Sequence, residues 1–158
     1  MKKSFILTIL YSFFLLSGFL LNAQNEKKPE LLTKESFKQK VWNYEKSPNE
    51  FVYLGDKPCL IDLYANWCGW CRKIAPFFEE FCSTYDGIIY IYKINTDEQK
   101  ELQALFQAKS LPTVIFFPMN GKPTAIKGAL SKEKYIELIE QILIPSIPKS
   151  NKKIKNKN

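Results

Sequence analysis

A short and almost continuously apolar run extends from Cys59 to Ala65, and a single acid, Asp62, interrupts it. A run of this length that is apolar at successive positions is typical of a β-strand buried on both faces. The spacing of apolar residues becomes helical after Cys68. The two patterns together predict an α/β domain in which helices cover a mixed sheet.

The rest of the chain alternates between strand and helix patterns. Asn120-Gly121 is the strongest hairpin signal, and it predicts that two late strands pair directly. In chain order we predict a helix capped by Thr33 and ended by residues 47–49, a strand at 59–65, a helix after Cys68 that Pro76 kinks, a strand at 88–94, a short helix capped by Thr96 or Asp97, strands at 114–117 and 124–126, and a helix capped by Ser131.

The net positive charge lies where no folded domain is expected. The formal net charge is +7, and the whole excess comes from Lys2 and Lys3 and from five lysines after Pro148. Lys2 and Lys3 precede an apolar stretch that ends in Asn22-Ala23, the pattern of a secretory signal peptide; an uncleaved membrane anchor is the alternative. We therefore predict a signal peptide at 1–23, a flexible leader at 24–32, one domain at 33–148 and a disordered Lys/Asn-rich tail at 149–158.

The composition also excludes several classes of function. Basic and acidic residues balance between positions 24 and 148, so there is no basic face to support a nucleic-acid partner. The chain has no histidine, which excludes His-ligated metal sites, Ser-His-Asp triads and Cys-His proteases. Any chemistry must therefore come from cysteine, carboxylate, lysine or tyrosine side chains.

The segment Cys68-Gly69-Trp70-Cys71 joins the buried strand to the next helix. The start of a helix offers unpaired N–H groups and a partial positive charge, which favour a nucleophilic thiolate at Cys68. Cys71, one turn later, is then placed to attack a mixed disulfide and release the product. The alternatives are a zinc site that would also need Cys59 and Cys82, a structural disulfide that closes too small a loop to stabilise much, and two core thiols without a role.

Around this motif the sequence resembles the thioredoxin family. The matching segments are residues 62–73, Ile74-Ala75-Pro76, Ser110-Leu111-Pro112-Thr113 and residues 127–132, and the resemblance covers about residues 32–143. It implies the thioredoxin fold, a central mixed β-sheet flanked by helices on both faces, and a thiol–disulfide oxidoreductase that needs no cofactor and no metal. The segment from Trp42 to Pro58 looks more like exported thioredoxins of Gram-negative bacteria than like cytosolic ones.

The resemblance also implies roles for single residues. Asp62 is expected to act as the general base for Cys71, with Lys93 modulating it, and a purely structural ion pair between the two is the alternative. Pro112 is expected to be cis, in a loop that lies against the two cysteines and pairs with the substrate backbone. The expected substrate-binding residues are Trp67, Gly69, Trp70, Leu111, Pro112 and Gly128.

Two features depart from the usual pattern of the family. Trp70 stands where the commonest motif has proline, and we therefore expect a couple that is less reducing than an ordinary thioredoxin. Cys59 and Cys82 lie outside the active-site pattern, and they are expected to be buried thiols or, alternatively, a second structural disulfide.

These observations favour a monomeric, periplasmic reductase of disulfides in cysteine-containing exported proteins. The resemblance implies that a membrane thiol–disulfide reductase supplies its electrons, as no soluble nicotinamide pool is expected outside the cytoplasm. The alternatives are a disulfide isomerase or oxidase that uses the same site, and a redox-silent binding module. The direction of electron flow stays open, because it depends on the reduction potential and on the partners.

Overall fold

In the computed structural model, which describes residues 27–145, five strands form one mixed sheet. In chain order the strands are β1 (Glu30–Leu31), β2 (Cys59–Tyr64), β3 (Tyr90–Asn95), β4 (Thr113–Phe117) and β5 (Thr124–Lys127). Their order across the sheet is β1-β3-β2-β4-β5. The first three strands are parallel to one another, whereas β4 is antiparallel to β2 and β5 is antiparallel to β4.

The helices are α1 (Lys34–Lys40), α2 (Gly69–Thr84), α3 (Lys100–Leu105) and α4 (Lys132–Leu138), and a π-helical turn (Ile139–Leu143) continues α4. No helix within residues 27–145 is long and apolar enough to cross a membrane. The predicted signal peptide at 1–23 and the predicted tail at 149–158 lie outside the described residues.

The alternation of side chains along β2 divides the core between two faces of the sheet. Leu60 packs in a cluster with Phe78 of α2 and Tyr135 of α4. Its neighbour Ile61 packs in a second cluster, which contains Phe37 of α1. Side chains two residues apart in a strand share a face. The central strand is thus covered on both sides, and the predicted thioredoxin-type α/β fold is confirmed.

The hairpin prediction is also confirmed. Gly121 has a φ of +107°, a backbone conformation that suits glycine, and it lies between β4 and β5. Pairing of Thr113 with Lys127 and of Phe116 with Thr124 places β5 at the sheet edge beside β4.

The predicted leader at 24–32 is wrong at its C-terminal end. Leu31 pairs with Lys93 in the parallel β1–β3 ladder, and the amide of Leu32 donates to the carbonyl of Lys93 at 2.9 Å. The Leu32 side chain is completely buried against the core that includes Phe37. A leucine that loses all contact with water stabilises an edge strand that the polar residues before it do not predict.

Two predicted helix boundaries are also wrong. The first helix ends at Lys40 rather than at residues 47–49, and the chain beyond it is held by aromatic packing, with the rings of Trp42 and Phe51 at 5.4 Å. Neither Thr96 nor Asp97 caps α3. The Thr96 hydroxyl instead donates to the carbonyl of Tyr64, and α3 begins after Gln99 without a side-chain cap.

Thr33 closes the start of α1 with a reciprocal pair of hydrogen bonds. The Ser36 amide donates to the Thr33 hydroxyl at 3.3 Å, and the Thr33 amide donates to the Ser36 hydroxyl at 2.9 Å. We expect Thr33→Ala to lower the free energy of unfolding by about 1 kcal/mol, because it leaves a helix N–H without its acceptor. Equilibrium urea denaturation measures this loss. Thr33→Ser is the control that keeps the oxygen, and an equal loss in both variants would contradict the assignment.

Candidate active site

Cys68 and Cys71 form a disulfide, with an S–S distance of 2.07 Å and Cα atoms 5.3 Å apart. Cys68 lies at the junction of β2 and α2 and is the N-cap of the helix, where its Sγ accepts from the Cys71 amide at 3.1 Å. The first turn of α2 carries no acidic residue. A thiolate at Cys68 would therefore meet an N–H donor and the positive end of the helix dipole.

The two sulfurs lie in a small buried cluster at the edge of the core. Cys68 and Cys71 are 5% and 3% exposed, and they pack with Ala65. The partly buried side chains of Tyr64 and Leu111 complete this cluster. The disulfide is thus almost entirely buried, and the loop that contains Leu111 packs against it.

The Leu111–Pro112 peptide bond is cis, as the resemblance predicts. The amide of Gly128 donates to the carbonyl of Pro112 at 2.8 Å, and Gly128 has a φ of +86°. The Thr113 hydroxyl donates to the carbonyl of Ser110 at 2.7 Å. These contacts join the proline loop to the loop that follows β5. Leu111, Pro112 and Gly128, which are distant in sequence, thereby come together.

Asp62 is buried in the middle of the sheet, between its register partners Lys93 on β3 and Val114 on β4. Its side chain shares a face of β2 with Leu60, the face that α2 covers. The residue is only 6% exposed, and its Oδ1 makes no hydrogen bond to another protein group. Burial raises the pKa of Asp62 to about 7, although the positive charge of Lys93 lowers it in part.

Lys93 does not neutralise Asp62 through direct contact. No ion pair among residues 27–145 joins these two side chains. The ammonium of Lys93 instead lies over the ring of Tyr64, 5.5 Å from its centroid. A carboxyl group with a pKa near neutrality and no ion-pair partner among the described residues is suited to accept and release a proton at physiological pH.

Two indoles stand exposed beside the disulfide. Trp67 is 69% exposed, and its Nε1 donates to Asp97 Oδ2 at 2.8 Å. Trp70 is 62% exposed, and the Nζ of Lys73 lies over its ring, 4.2 Å from the centroid. Trp67 therefore belongs to the wall of the site and not to the core. Gly69, between the two indoles in sequence, is exposed and begins α2.

Cys59 and Cys82 are free thiols that pack on opposite faces of the sheet. Burial raises the pKa of Cys59 to about 12 and that of Cys82 to about 11, so both stay protonated at neutral pH. The structure therefore contains no second disulfide between them. This placement also keeps Cys59 and Cys82 apart from each other and from the cluster of Cys68 and Cys71, whereas the zinc alternative needs all four together. No group of three or more cysteine, aspartate or glutamate side chains in the described part of the chain converges as metal ligands would.

Three residues near the site are not among the site residues predicted from the sequence. Tyr64 packs against the cysteines, Asp97 accepts from Trp67, and Lys73 lies over Trp70. The spacing of three residues between Trp70 and Lys73 on one helix is a signal that would have found their contact. Asp97 has no such signal, because it is thirty residues from Trp67 and the fold alone brings them together.

The cysteine pair at the junction of β2 and α2 is closed as a disulfide, and opening it would give the two thiols that disulfide exchange requires. The fold and the site thus define a thiol–disulfide oxidoreductase. The family model described as Thioredoxin matches residues 28–141. The chain therefore belongs to the thioredoxin family, with Cys68 and Cys71 as its redox pair.

Individual relatives agree with this assignment. The chain is 38% identical over 109 residues to a thioredoxin of Borreliella burgdorferi, covering 69% of this chain and 92% of that protein. It is 38% identical over 101 residues to the chloroplastic M-type thioredoxin of Spinacia oleracea, covering 64% and 56% of the two chains. Among solved structures, chloroplastic thioredoxin z superposes with a TM-score of 0.58 at 23% identity, covering 73% of this chain and 94% of that one.

Proposed function

We propose that this protein reduces disulfides of exported proteins through a Cys68/Cys71 dithiol–disulfide cycle. The observation that carries the proposal is the Cys68–Cys71 disulfide at the start of α2, flanked by the exposed indoles of Trp67 and Trp70 and preceded by a strand that buries Asp62. The N-terminal signal-peptide pattern at 1–23 supports export to the periplasm. The partners are cysteine-containing exported proteins, and no nucleic acid is involved.

The reaction follows from the positions of the two sulfurs. The Cys68 thiolate attacks one sulfur of the substrate disulfide, so that a mixed disulfide forms and the other substrate sulfur leaves as a thiolate and takes up a proton. Cys71 then gives its proton to Asp62 and attacks the Sγ of Cys68. The mixed disulfide breaks, and the second substrate sulfur leaves and is protonated. The substrate gains two electrons, and the Cys68–Cys71 disulfide is restored.

The walls of the site position the substrate in this scheme. The backbone of Leu111 and Pro112, held by Gly128, pairs with the substrate chain, while Trp67, Gly69 and Trp70 contact its side chains. Lys93 adjusts the proton affinity of Asp62 through its charge. The protein acts as a monomer, and a membrane thiol–disulfide reductase restores the dithiol after each cycle.

Reduction of insulin with dithiothreitol as the electron source tests the reductase activity. Trapping of mixed disulfides identifies the partners. In Cys71→Ser the mixed disulfide cannot be resolved, so substrates remain attached and are identified by mass spectrometry after purification from the host. Recovery of exported proteins together with a membrane reductase is expected. Attachment of an oxidant alone would overturn the reducing direction. The N-terminal sequence of the mature protein distinguishes a cleaved signal peptide from an uncleaved anchor.

A disulfide oxidase or isomerase is the second candidate, and the start of α2 favours it. Arg72 and Lys73 are exposed there, and the first turn lacks an acid. Nearby positive charge stabilises the Cys68 thiolate, and a stabilised reduced form makes the couple more oxidising. The same cysteine pair then oxidises substrate thiols instead of reducing substrate disulfides, if the partners supply an oxidant.

We expect the couple to be less reducing than the roughly −270 mV of thioredoxin. Trp70→Pro is expected to make it more reducing by about 30 mV or more, because proline favours the first turn and removes the indole under Lys73. Equilibration with glutathione buffers measures both potentials. A wild-type value as low as that of thioredoxin, or a variant that becomes more oxidising, would refute this expectation.

A further inference from the structure

The charges around the disulfide are distributed unevenly. Asp97 accepts from Trp67, which precedes the disulfide, and from Lys100, and the adjoining Glu98 accepts from the side-chain amide of Asn95, so both acids are engaged. On the other side, the start of α2 carries two consecutive cations, and neither forms an ion pair with another residue of the described range 27–145. The α2 side of the rim therefore has positive charge that no residue within 27–145 neutralises.

The two cations on this side differ in what they are free to bind. The guanidinium of Arg72 donates through Nη1 to the carbonyl of Asn66 at 2.8 Å, so it is committed to closing the strand–helix junction. The ammonium of Lys73 makes no hydrogen bond to a described residue and rests over the ring of Trp70 at 4.2 Å. Contact with the ring face orients the cation but leaves its N–H groups available to an acceptor.

Trp70 places this cation where a substrate is expected to pass. The indole lies between the two cysteines in sequence, and it is 62% exposed. A polypeptide that brings its own sulfur to Cys68 would lay a neighbouring residue along the indole, within reach of the ammonium of Lys73. A carboxylate at that neighbouring position would gain a charge-assisted hydrogen bond for which no acid of the described residues competes.

We propose that Trp70 and Lys73 form a specificity-determining contact that selects disulfides whose cysteine adjoins an acidic residue. The proposal rests on the proposed function, because it concerns the substrates of the same cysteine pair. Trp70 supplies an apolar surface and holds the cation. Lys73 supplies the charge that distinguishes one neighbouring residue from another.

Two peptide disulfides of equal length test the contact, one with glutamate and the other with lysine next to the cysteine. Wild type is expected to reduce the acidic peptide about three- to tenfold faster in kcat/KM at low ionic strength, with the preference shrinking as salt is added. Lys73→Met is expected to lose the preference, and Lys73→Glu to reverse it. Trp70→Leu is expected to reduce it, because the cation loses the ring that orients it.

Lys122→Glu is the matched control, since it changes the net charge equally on the β4–β5 hairpin. It is expected to keep the wild-type preference. Equal rates for the two peptides with wild type, or the same shift in Lys73→Glu and Lys122→Glu, would overturn the selectivity while leaving the reductase activity established. If wild type and Cys68→Ser act equally slowly on both peptides, the proposed function fails, and this contact fails with it.

Discussion

Replacing Cys68 with serine is expected to lower the rate of disulfide reduction roughly 10³-fold or more, to that of dithiothreitol alone. A serine hydroxyl at the N-cap of α2 still accepts the helix N–H, so the fold should survive. It has no thiolate to attack a disulfide, however, and cannot form a bond that stores two electrons. Insulin reduction followed by turbidity measures the difference.

Cys82→Ser is the matched control for this loss. Cys82 lies on the same helix, is half-buried and free, and has a thiol pKa raised to about 11. The control is expected to keep the wild-type rate. A comparable loss in Cys82→Ser would show that the loss in Cys68→Ser is not specific to the Cys68–Cys71 pair. Retention of activity in Cys68→Ser would remove the oxidoreductase mechanism altogether.

Replacing Asp62 with asparagine is expected to abolish a large pH dependence of stability. The folded-state pKa of Asp62 is raised to about 7 from an ordinary value of 3.8, because burial disfavours the charged form. A carboxyl group whose pKa is higher in the folded than in the unfolded state stabilises the fold fully below pH 4. This stabilisation is lost as the pH rises to 7. The free energy of unfolding changes by about 4 kcal/mol over this range. Asp62→Asn should therefore be the more stable protein above pH 7, with the advantage vanishing near pH 4.

Urea denaturation at several pH values between 4 and 8 measures this effect. Glu79→Gln, at an exposed position on α2, is the control and should follow the wild-type curve. Parallel curves for wild type and Asp62→Asn would contradict a raised pKa for the buried acid. In the same variant, resolution of the mixed disulfide by Cys71 should be slower and should lose any inflection near pH 7, since the proton acceptor is gone.

Much of the candidate site is recognisable in the sequence, because its parts are short and local. The two cysteines, the following helix with Pro76, and the cis-proline loop each occupy a few consecutive residues. The same holds for Thr33 and Ser131, whose side chains cap the helices that they precede. The predicted boundaries of helices and strands are wrong where contacts between residues distant in sequence determine the local structure. Leu32 is buried by the core around Phe37, and Thr96 bonds to Tyr64 instead of capping α3.

The state of Asp62 depends entirely on the tertiary structure. Its place in an apolar run predicts burial, but an ion pair with Lys93 and an isolated carboxyl group are equally compatible with the sequence. Strand pairing sets the two residues side by side, yet the ammonium lies over Tyr64 and leaves Oδ1 without a partner. The pKa near 7 follows from that arrangement, because burial is then only partly offset by the Lys93 charge.

The sequence by itself determined the α/β class and the redox pair, because periodicity, helix starts and short motifs act over neighbouring residues, and its resemblance to the thioredoxin family implied the cis-proline loop. Only the tertiary structure decided which charges around the disulfide are free. Asp97 is bound to Trp67, Arg72 is bound to Asn66, and Lys73 remains available over Trp70. Electrostatic and hydrogen-bond partners depend on distances in space, and packing of the whole chain is what sets those distances.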